Sequence, residues 1–305
     1  MDFQLTDEQR ALKRGVRELL ARRFDREALR AAVDRASSSS GGALDRGLWR
    51  TLGEAGFFAL RLPESEGGVG LGMPEAVLLF EEAGRVLLPG PLVETHLAAG
   101  EVKGAAEGEA VVTAPYGRLV AHLADADVVR GAGAGAADLR GAVEPVRSVD
   151  PLTPLHRLDG PTSHPYPREA VLLTAAEQLG TAARTLELAV QHACEREQFG
   201  QPVGAFQAVK HLCAQMLVRV ETARAAVYAA AVTGSDVDGA AAGLFADEAA
   251  VGNARDCLQV CGGMGFTWEA DVHLHLKRAW VRAGRGPSKA ETEEELAAAL
   301  LADGV

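Results

Sequence analysis

The chain has 305 residues, enough for two or three small domains with a sizeable core, and alanine dominates its 48% apolar content, which favours helices. Its 42 acidic and 31 basic residues give a net charge of −11, which excludes nucleic acid or an anionic membrane as a general partner. An anionic ligand then needs a local positive site. No apolar run reaches membrane-spanning length and no signal peptide opens the sequence, so the expected setting is the cytoplasm.

Thr6-Asp-Glu-Gln9 reads as a capping box, followed by an apolar stripe through Leu12, Val16, Leu19 and Leu20 that ends at Phe24 and Asp25. Residues 37–42 read as a flexible loop and 48–55 as a short helix. Residues 56–64 read as an extended run closed by Pro63, ahead of the glycine cluster 67–72. That cluster lacks the Lys-Ser/Thr of a phosphate loop and the dinucleotide-fold spacing, so it reads as a plain loop. An amphipathic helix covers 74–87; its adjacent Glu81 and Glu82 suggest acid/base work or, as the blander reading, solvated or capping carboxylates. Pro89-Gly-Pro91 breaks the chain before a short helix over 92–99.

Residues 101–167 change character. Short β-like runs at 109–113, 118–123, 127–130, 139–149 and 155–158, with an alanine-glycine turn at 131–137, read as a small antiparallel unit. Helical periodicity returns at 169–194, 206–232, 244–260 and 269–280, four helices of a bundle, with a weak acidic helix at 291–301. His273 and His275 are two residues apart and share no helix face, so a metal reading is poor. Cys257 and Cys261 lie four apart without a further ligand pair, and with Cys194 and Cys213 read as buried free thiols.

Between the first two bundle helices, Gly200, Pro202 and Gly204 punctuate a tight turn, with Arg196, Glu197 and Gln198 just ahead of the bend. A guanidinium there can clamp a phosphate or carboxylate, or simply offset a helix dipole. The segment Arg196-Glu-Gln-Phe-Gly-Gln-Pro-Val-Gly-Ala-Phe-Gln207 resembles the signature that opens the C-terminal helical domain of acyl-CoA dehydrogenases. Gln259-Val-Cys-Gly-Gly-Met-Gly-Phe-Thr267 resembles the same family's second C-terminal signature, and the spacing between the two suits the family. Pro63-Glu-Ser-Glu-Gly-Gly-Val-Gly-Leu71 and Glu81-Glu-Ala-Gly-Arg85 resemble its N-terminal domain.

The resemblance implies a mostly α fold with a small β insert: an N-terminal helical domain (1–100), a reduced middle β domain (101–167) and a C-terminal four-helix bundle domain (168–305). It implies FAD as cofactor. It also implies that Arg196, Phe199, Gln207, Gln259, Gly262, Gly263 and Gly265 reach the adenosine-pyrophosphate half of a neighbouring subunit's flavin. The family's aromatic-x-x-Thr/Ser-Glu-Pro segment, which faces the flavin ring, is missing from 101–167; Thr113-Ala-Pro115 is a faint echo. One family position for the catalytic carboxylate falls near Ala283-Gly-Arg-Gly-Pro-Ser288, which has no acid. The other falls near Glu169 or Glu177, both also readable as solvated, so no base is assigned. The expected role is the degenerate subunit of an α2β2 acyl-CoA dehydrogenase, paired with a full-length chain. It would desaturate a CoA thioester, such as a steroid side chain, and pass electrons to an electron-transfer flavoprotein. A self-sufficient homomer and a non-catalytic binding homologue are the alternatives.

Overall fold

The computed structural model describes residues 4–38, 44–131, 139–140, 143–158 and 166–302. The capping box forms as the sequence predicts. Thr6 Oγ1 accepts from the Gln9 N–H, and Gln9 Oε1 accepts from the Thr6 N–H, so helix α1 (Asp7–Arg23) begins with two end donors satisfied. Asp25 does more than end this helix. Its carboxylate accepts from the Ala28 N–H and starts α2 (Arg26–Ser38), a helix that the sequence pattern does not announce. The loop expected at 37–42 falls mostly outside the described residues. Asp45 caps α3 (Arg46–Glu54) through the Gly47 and Leu48 N–H groups.

The extended run expected at 56–64 is instead a chain of turns. The glycine loop folds back over it: the N–H groups of Gly68, Val69, Gly70 and Leu71 bond the carbonyls of Pro63, Ala59, Leu62 and Leu60. Phe57 and Phe58 are thereby buried against Trp49 and Phe80. Helices α4 (Met73–Arg85) and α5 (Leu92–Leu97) complete the N-terminal part.

Glu81 and Glu82 are not solvated. Both are 1% exposed. Lys13 Nζ lies 2.5 Å from Glu81 Oε2, and Arg17 grips both oxygens of Glu82 at 2.8 and 2.7 Å. Tyr228 donates to Glu81 at 2.6 Å. Burial alone would raise the Glu81 carboxyl; Lys13, Tyr228 and Arg224 hold it below its ordinary value. These acids tie α1 and a C-terminal helix to α4.

The middle β unit is smaller and less regular than expected. Strands β2 (Pro115–Tyr116), β3 (Leu119–Ala121), β5 (Glu144–Val146) and β6 (Leu155–Arg157) form an antiparallel sheet in the order β2-β3-β6-β5. β1 (Val112–Thr113) and β4 (Val128–Val129) form a separate pair that is parallel, against the antiparallel reading. Thr113 turns its hydroxyl inward to the Ala121 carbonyl at 2.7 Å. Most of the turn expected at 131–137 lies outside the described residues.

The bundle consists of α6 (Arg168–Glu195), α7 (Gln207–Thr233), α8 (Asp236–Cys261) and α9 (Val272–Ala283), followed by α10 (Lys289–Ala302). α8 starts eight residues before its apolar periodicity does, because Ser235 caps it through the Asp238 N–H. The turn between α6 and α7 contains a two-residue ladder, β7 (Glu197–Gln198) with β8 (Gln201–Pro202). Of the four thiols only Cys257 is buried; Cys194 is exposed, and Cys213 and Cys261 are partly so.

α4 and α6 cross at two facing glycines. A Cβ on Gly180 would lie 1.9 Å from the Glu81 carbonyl oxygen, and one on Gly84 would lie 2.0 Å from that of Glu177. Backbone meets backbone here, so no side chain can swing away. Gly180→Ala is expected to lower stability by about 3 kcal/mol, at the upper end of overpacking costs, although alanine is the better helix former. Chemical denaturation measures this; an unchanged or raised midpoint would refute the close crossing.

Candidate functional site

Arg196 is the C-terminal cap of α6 and is exposed, with no hydrogen bond or ion pair to its guanidinium among the described residues. Its backbone is fixed at both ends: its N–H bonds the His192 carbonyl, and its own carbonyl accepts from Val203. Phe199 is 92% exposed and has φ of 54°, the left-handed conformation that favours glycine. An exposed aromatic held in that backbone is poorly explained by the chain's own packing. Gln207 is the exposed first residue of α7.

The second segment sits at the same end of the bundle. Val203 and Val209 beside the turn, and Cys257, Leu258, Val260 and Cys261 at the end of α8, share one small apolar cluster. Gln259 points outward from it, and α8 stops at Gly262, whose φ of 61° with ψ of −144° needs glycine. Gly262 and Gly263 are exposed, and a Cβ on either would meet nothing within 4 Å. Gly265 differs: it is buried, with its Cβ position 3.0 Å from Cys261 Cβ, so it serves packing within the chain. Met264 and Phe266 project outward at 60% and 72% exposure. The bundle thus ends in an unpaired cation, open glycine backbone and bare aromatic surface.

A second constellation lies between the β unit and α9. Arg278, Arg282 and Arg285 sit on α9 and just beyond its end, and each takes an acid from a different segment. Arg278 pairs with Asp150 of the β unit, Arg282 with Glu177 of α6 at 2.6 Å, and Arg285 with Glu94 of α5 at 3.0 Å. Tyr116 and Tyr166 pack together with ring centroids 4.1 Å apart, and Arg285 stacks over Tyr116. Ala121, Leu155 and Val281 close the remaining gap. The free space among these groups is about 30 Å³, the size of a water.

This arrangement settles how the two candidate carboxylates are held. Glu169 is exposed and pairs with Arg61 at 2.5 Å. Glu177, against the solvated reading, is buried on Arg282. Burial pushes its carboxyl up, opposed by Arg282 and Arg278. A free base in an apolar pocket would lack that guanidinium clasp. Among the described residues no group of three or more metal-ligating side chains occurs, and His275 is buried inside α9.

Comparison with known proteins establishes the family. Residues 6–105 match the family model for the acyl-CoA dehydrogenase N-terminal domain, and residues 170–292 match that for the acyl-CoA dehydrogenase C-terminal domain. The chain belongs to the acyl-CoA dehydrogenase family. It is therefore an oxidoreductase by family. It is 35% identical to acyl-CoA dehydrogenase IpdE2 of Mycobacterium tuberculosis, over 90% of this chain and 91% of that one. It is also 35% identical to acyl-CoA dehydrogenase FadE34 of the same organism, but over only 45% of that protein. The fold matches a chain of the ChsE4-ChsE5 complex from Mycobacterium tuberculosis with a TM-score of 0.82, at 22% identity and 99% coverage of each chain. It matches a chain of the Tcur3481-Tcur3483 steroid ACAD with a TM-score of 0.80, at 24% identity and 98% coverage of each.

Motif wording singles out Arg196 and the glycines, whereas Arg282 and Arg285 carry no motif and Arg278 reads only as one basic residue of the fourth bundle helix. Their spacing, 278, 282 and 285, is the available signal: Arg278 and Arg282 are four apart on one face of α9, and Arg285 follows three residues later in the turn. Glu177→Gln is expected to cost about 3–5 kcal/mol, because it strands a buried guanidinium. Glu177→Gln with Arg282→Gln should recover most of that loss. Glu169→Gln, at a half-exposed pair, should change stability by under about 1 kcal/mol. Denaturant midpoints of the parent and the three variants test this; a Glu177→Gln variant as stable as the parent would refute the clasp.

Proposed function

We propose that this chain is the non-flavin-holding subunit of an FAD-dependent acyl-CoA dehydrogenase, and that it completes the flavin site of a full-length partner. The observation that carries the reading is the contrast between its two constellations. The bundle end offers what an adenosine-pyrophosphate needs: the free guanidinium of Arg196, open backbone at Gly262 and Gly263, amides at Gln207 and Gln259, and the bare ring of Phe199. Among the described residues, the cavity of about 30 Å³ beside Glu94, Glu177, Arg278, Arg282 and Arg285 is too small for a flavin ring. The residues at the bundle end fit the cofactor; those at the inner face do not.

In this reading FAD, bound mainly by the partner, accepts the hydride when a CoA thioester is desaturated between its α and β carbons. Arg196 neutralises phosphate charge, with a planar fork that a lysine lacks. Gly262 and Gly263 let main chain approach without an intervening Cβ. Phe199 and its edge-on neighbour Phe206, 6.1 Å away, supply an apolar wall. Gly265 acts one step back, by holding the glycine turn against Leu258 and Cys261. The carboxylate that removes the α-proton belongs to the partner. The assembly is an α2β2 heterotetramer in the cytoplasm with two active sites, acting on a bulky thioester such as a steroid side chain and passing electrons to an electron-transfer flavoprotein. The likeness to IpdE2 over nearly its whole length, and to chains solved as pairs, supports this reading.

Expressed alone, the chain is expected to bind little or no FAD. A yellow homo-oligomer with one flavin per chain would overturn the proposal. In the two-chain complex, Arg196→Ala should weaken FAD binding by roughly 10- to 150-fold, the equivalent of a charge-assisted contact of about 1.5–3 kcal/mol. Arg196→Lys should recover only part. The fold should be untouched, because the side chain is exposed. Titration of FAD into the stripped complexes decides: a helix-end charge alone would leave flavin affinity as in the parent.

A further inference from the structure

A cavity of about 310 Å³ lies between the second half of α1, the start of α2, the end of α4, the second half of α6 and the start of α9. Part of its wall is apolar: Leu20 and Phe24 at the end of α1, Leu29 of α2, Val86 at the end of α4 and Leu188 of α6. The rest is basic, with Arg17, Arg26, Arg85 and Arg184, and His275 of α9 completes it. The bundle-end residues around Arg196 take no part in this lining, so a ligand here is separate from flavin sharing.

The acids of the lining already have partners within the chain. Arg17 holds both oxygens of Glu82 at 2.8 and 2.7 Å. Asp271 lies 2.6 Å from Arg26 and 2.5 Å from Arg30, and Asp25 accepts from the Ala28 N–H. The cations keep donors free. Arg85 uses Nη2 and Arg184 uses Nη1 on Glu187; Arg85 Nη1 and Arg184 Nη2 make no hydrogen bond among the described residues and are not closed off from solvent. His275 is only 3% exposed, and its ring makes no hydrogen bond among the described residues. Nδ1 is sealed but Nε2 is not, so the accessible edge of the ring is the Nε2 edge in the cavity. Burial, and after it the charges of Arg184, Arg278, Arg282 and Arg85, push this ring down to about 3, so it is neutral and carries one proton. The guanidiniums favour a bare lone pair at the sealed Nδ1, which leaves the proton on Nε2.

The polar atoms that remain free are therefore donors, and the ligand's polar group has to accept. Charge narrows the choice. Arg17, Arg26, Arg85 and Arg184, with Arg30 behind Asp271, exceed by one the acids Asp25, Glu82, Glu187 and Asp271 that adjoin them. A single negative charge balances that excess, whereas a phosphate monoester, at roughly −1.5 to −2, overshoots it. An alcohol can accept, but it brings no charge and a proton that meets no free acceptor. A planar carboxylate matches the geometry of guanidinium N–H groups. We propose that this cavity binds an apolar-bodied monocarboxylate, whose oxygens accept from His275 Nε2 and from the free N–H groups of Arg85 and Arg184, and whose hydrocarbon body lies on Leu20, Phe24 and Leu29.

Calorimetric titration of the full chain with decanoate, decyl phosphate and 1-decanol tests this. Decanoate is expected to bind one per chain, about tenfold tighter than either of the others, as a charge-assisted hydrogen bond implies. Arg184→Met, at a side chain that is 40% exposed, should weaken decanoate about tenfold and close most of its gap to decanol. His275→Phe keeps a ring but removes the Nε2 donor, and should also weaken decanoate about tenfold. Ala21→Trp should abolish binding by filling the cavity and leave the fold intact, because Ala21 lines the cavity from an exposed position on α1. Circular dichroism checks the variants; if the buried His275→Phe does not fold, the two at exposed positions decide. Absence of decanoate binding, equal or tighter binding of decyl phosphate or decanol, or parent-like affinity for decanoate in Arg184→Met or Ala21→Trp would each overturn the proposal.

Discussion

Three ion pairs, two buried and one partly so, made by Arg278, Arg282 and Arg285 hold the parts of this molecule together. Each joins α9, or the turn after it, to a different element: the β unit, the long bundle helix α6, and the short helix α5. Such pairs are not obvious sources of stability, since the desolvation of both charges offsets most of their attraction. What they supply is uniqueness. Asp150 is already engaged by the Leu152 N–H and the Thr153 hydroxyl, so its carboxylate can face Arg278 in one orientation only. The β unit has no choice of docking position, and the interior between it and the bundle is filled with protein.

The same economy of space governs the crossing of α4 and α6. Gly84 and Gly180 let two backbones touch, and this brings the carbonyls of Glu81 and Glu177 within reach of the opposite helix. Their side chains then leave in opposite directions, Glu81 towards Lys13 of α1 and Glu177 towards Arg282 of α9. One close contact thus feeds two separate ion-pair systems.

Local signals in the sequence proved readable, and distant partners did not. The Thr6-Gln9 box, the four long periodic segments and the glycine stop after α8 depend on neighbours within a few residues, and each is present. Glu81, Glu82 and Glu177 look like solvated helix carboxylates because, apart from Arg85 at 3.4 Å from Glu82, the groups that neutralise them are distant in sequence. Their partners are 68, 65 and 105 residues away. The run at 56–64 has strand composition but no strand to pair with, and the glycine loop behind it takes up its carbonyls instead. For the candidate site, motif wording singled out residues that the fold brings to one end of the bundle. It could not show that Gly265 faces inward while Gly262 and Gly263 face out.

The order in which the chain leaves the ribosome gives the arginines of α9 a further consequence. Glu94, Asp150 and Glu177 are made well before the guanidiniums that neutralise them, which come 191, 128 and 105 residues later. Until α9 emerges, the β unit keeps its contacts to Thr95 and Arg46 but lacks Arg278, and three interior acids lack their guanidiniums. The closing step of folding therefore waits for α9. A chain truncated ahead of α9 would retain most of its apolar residues yet be unable to seal its own centre.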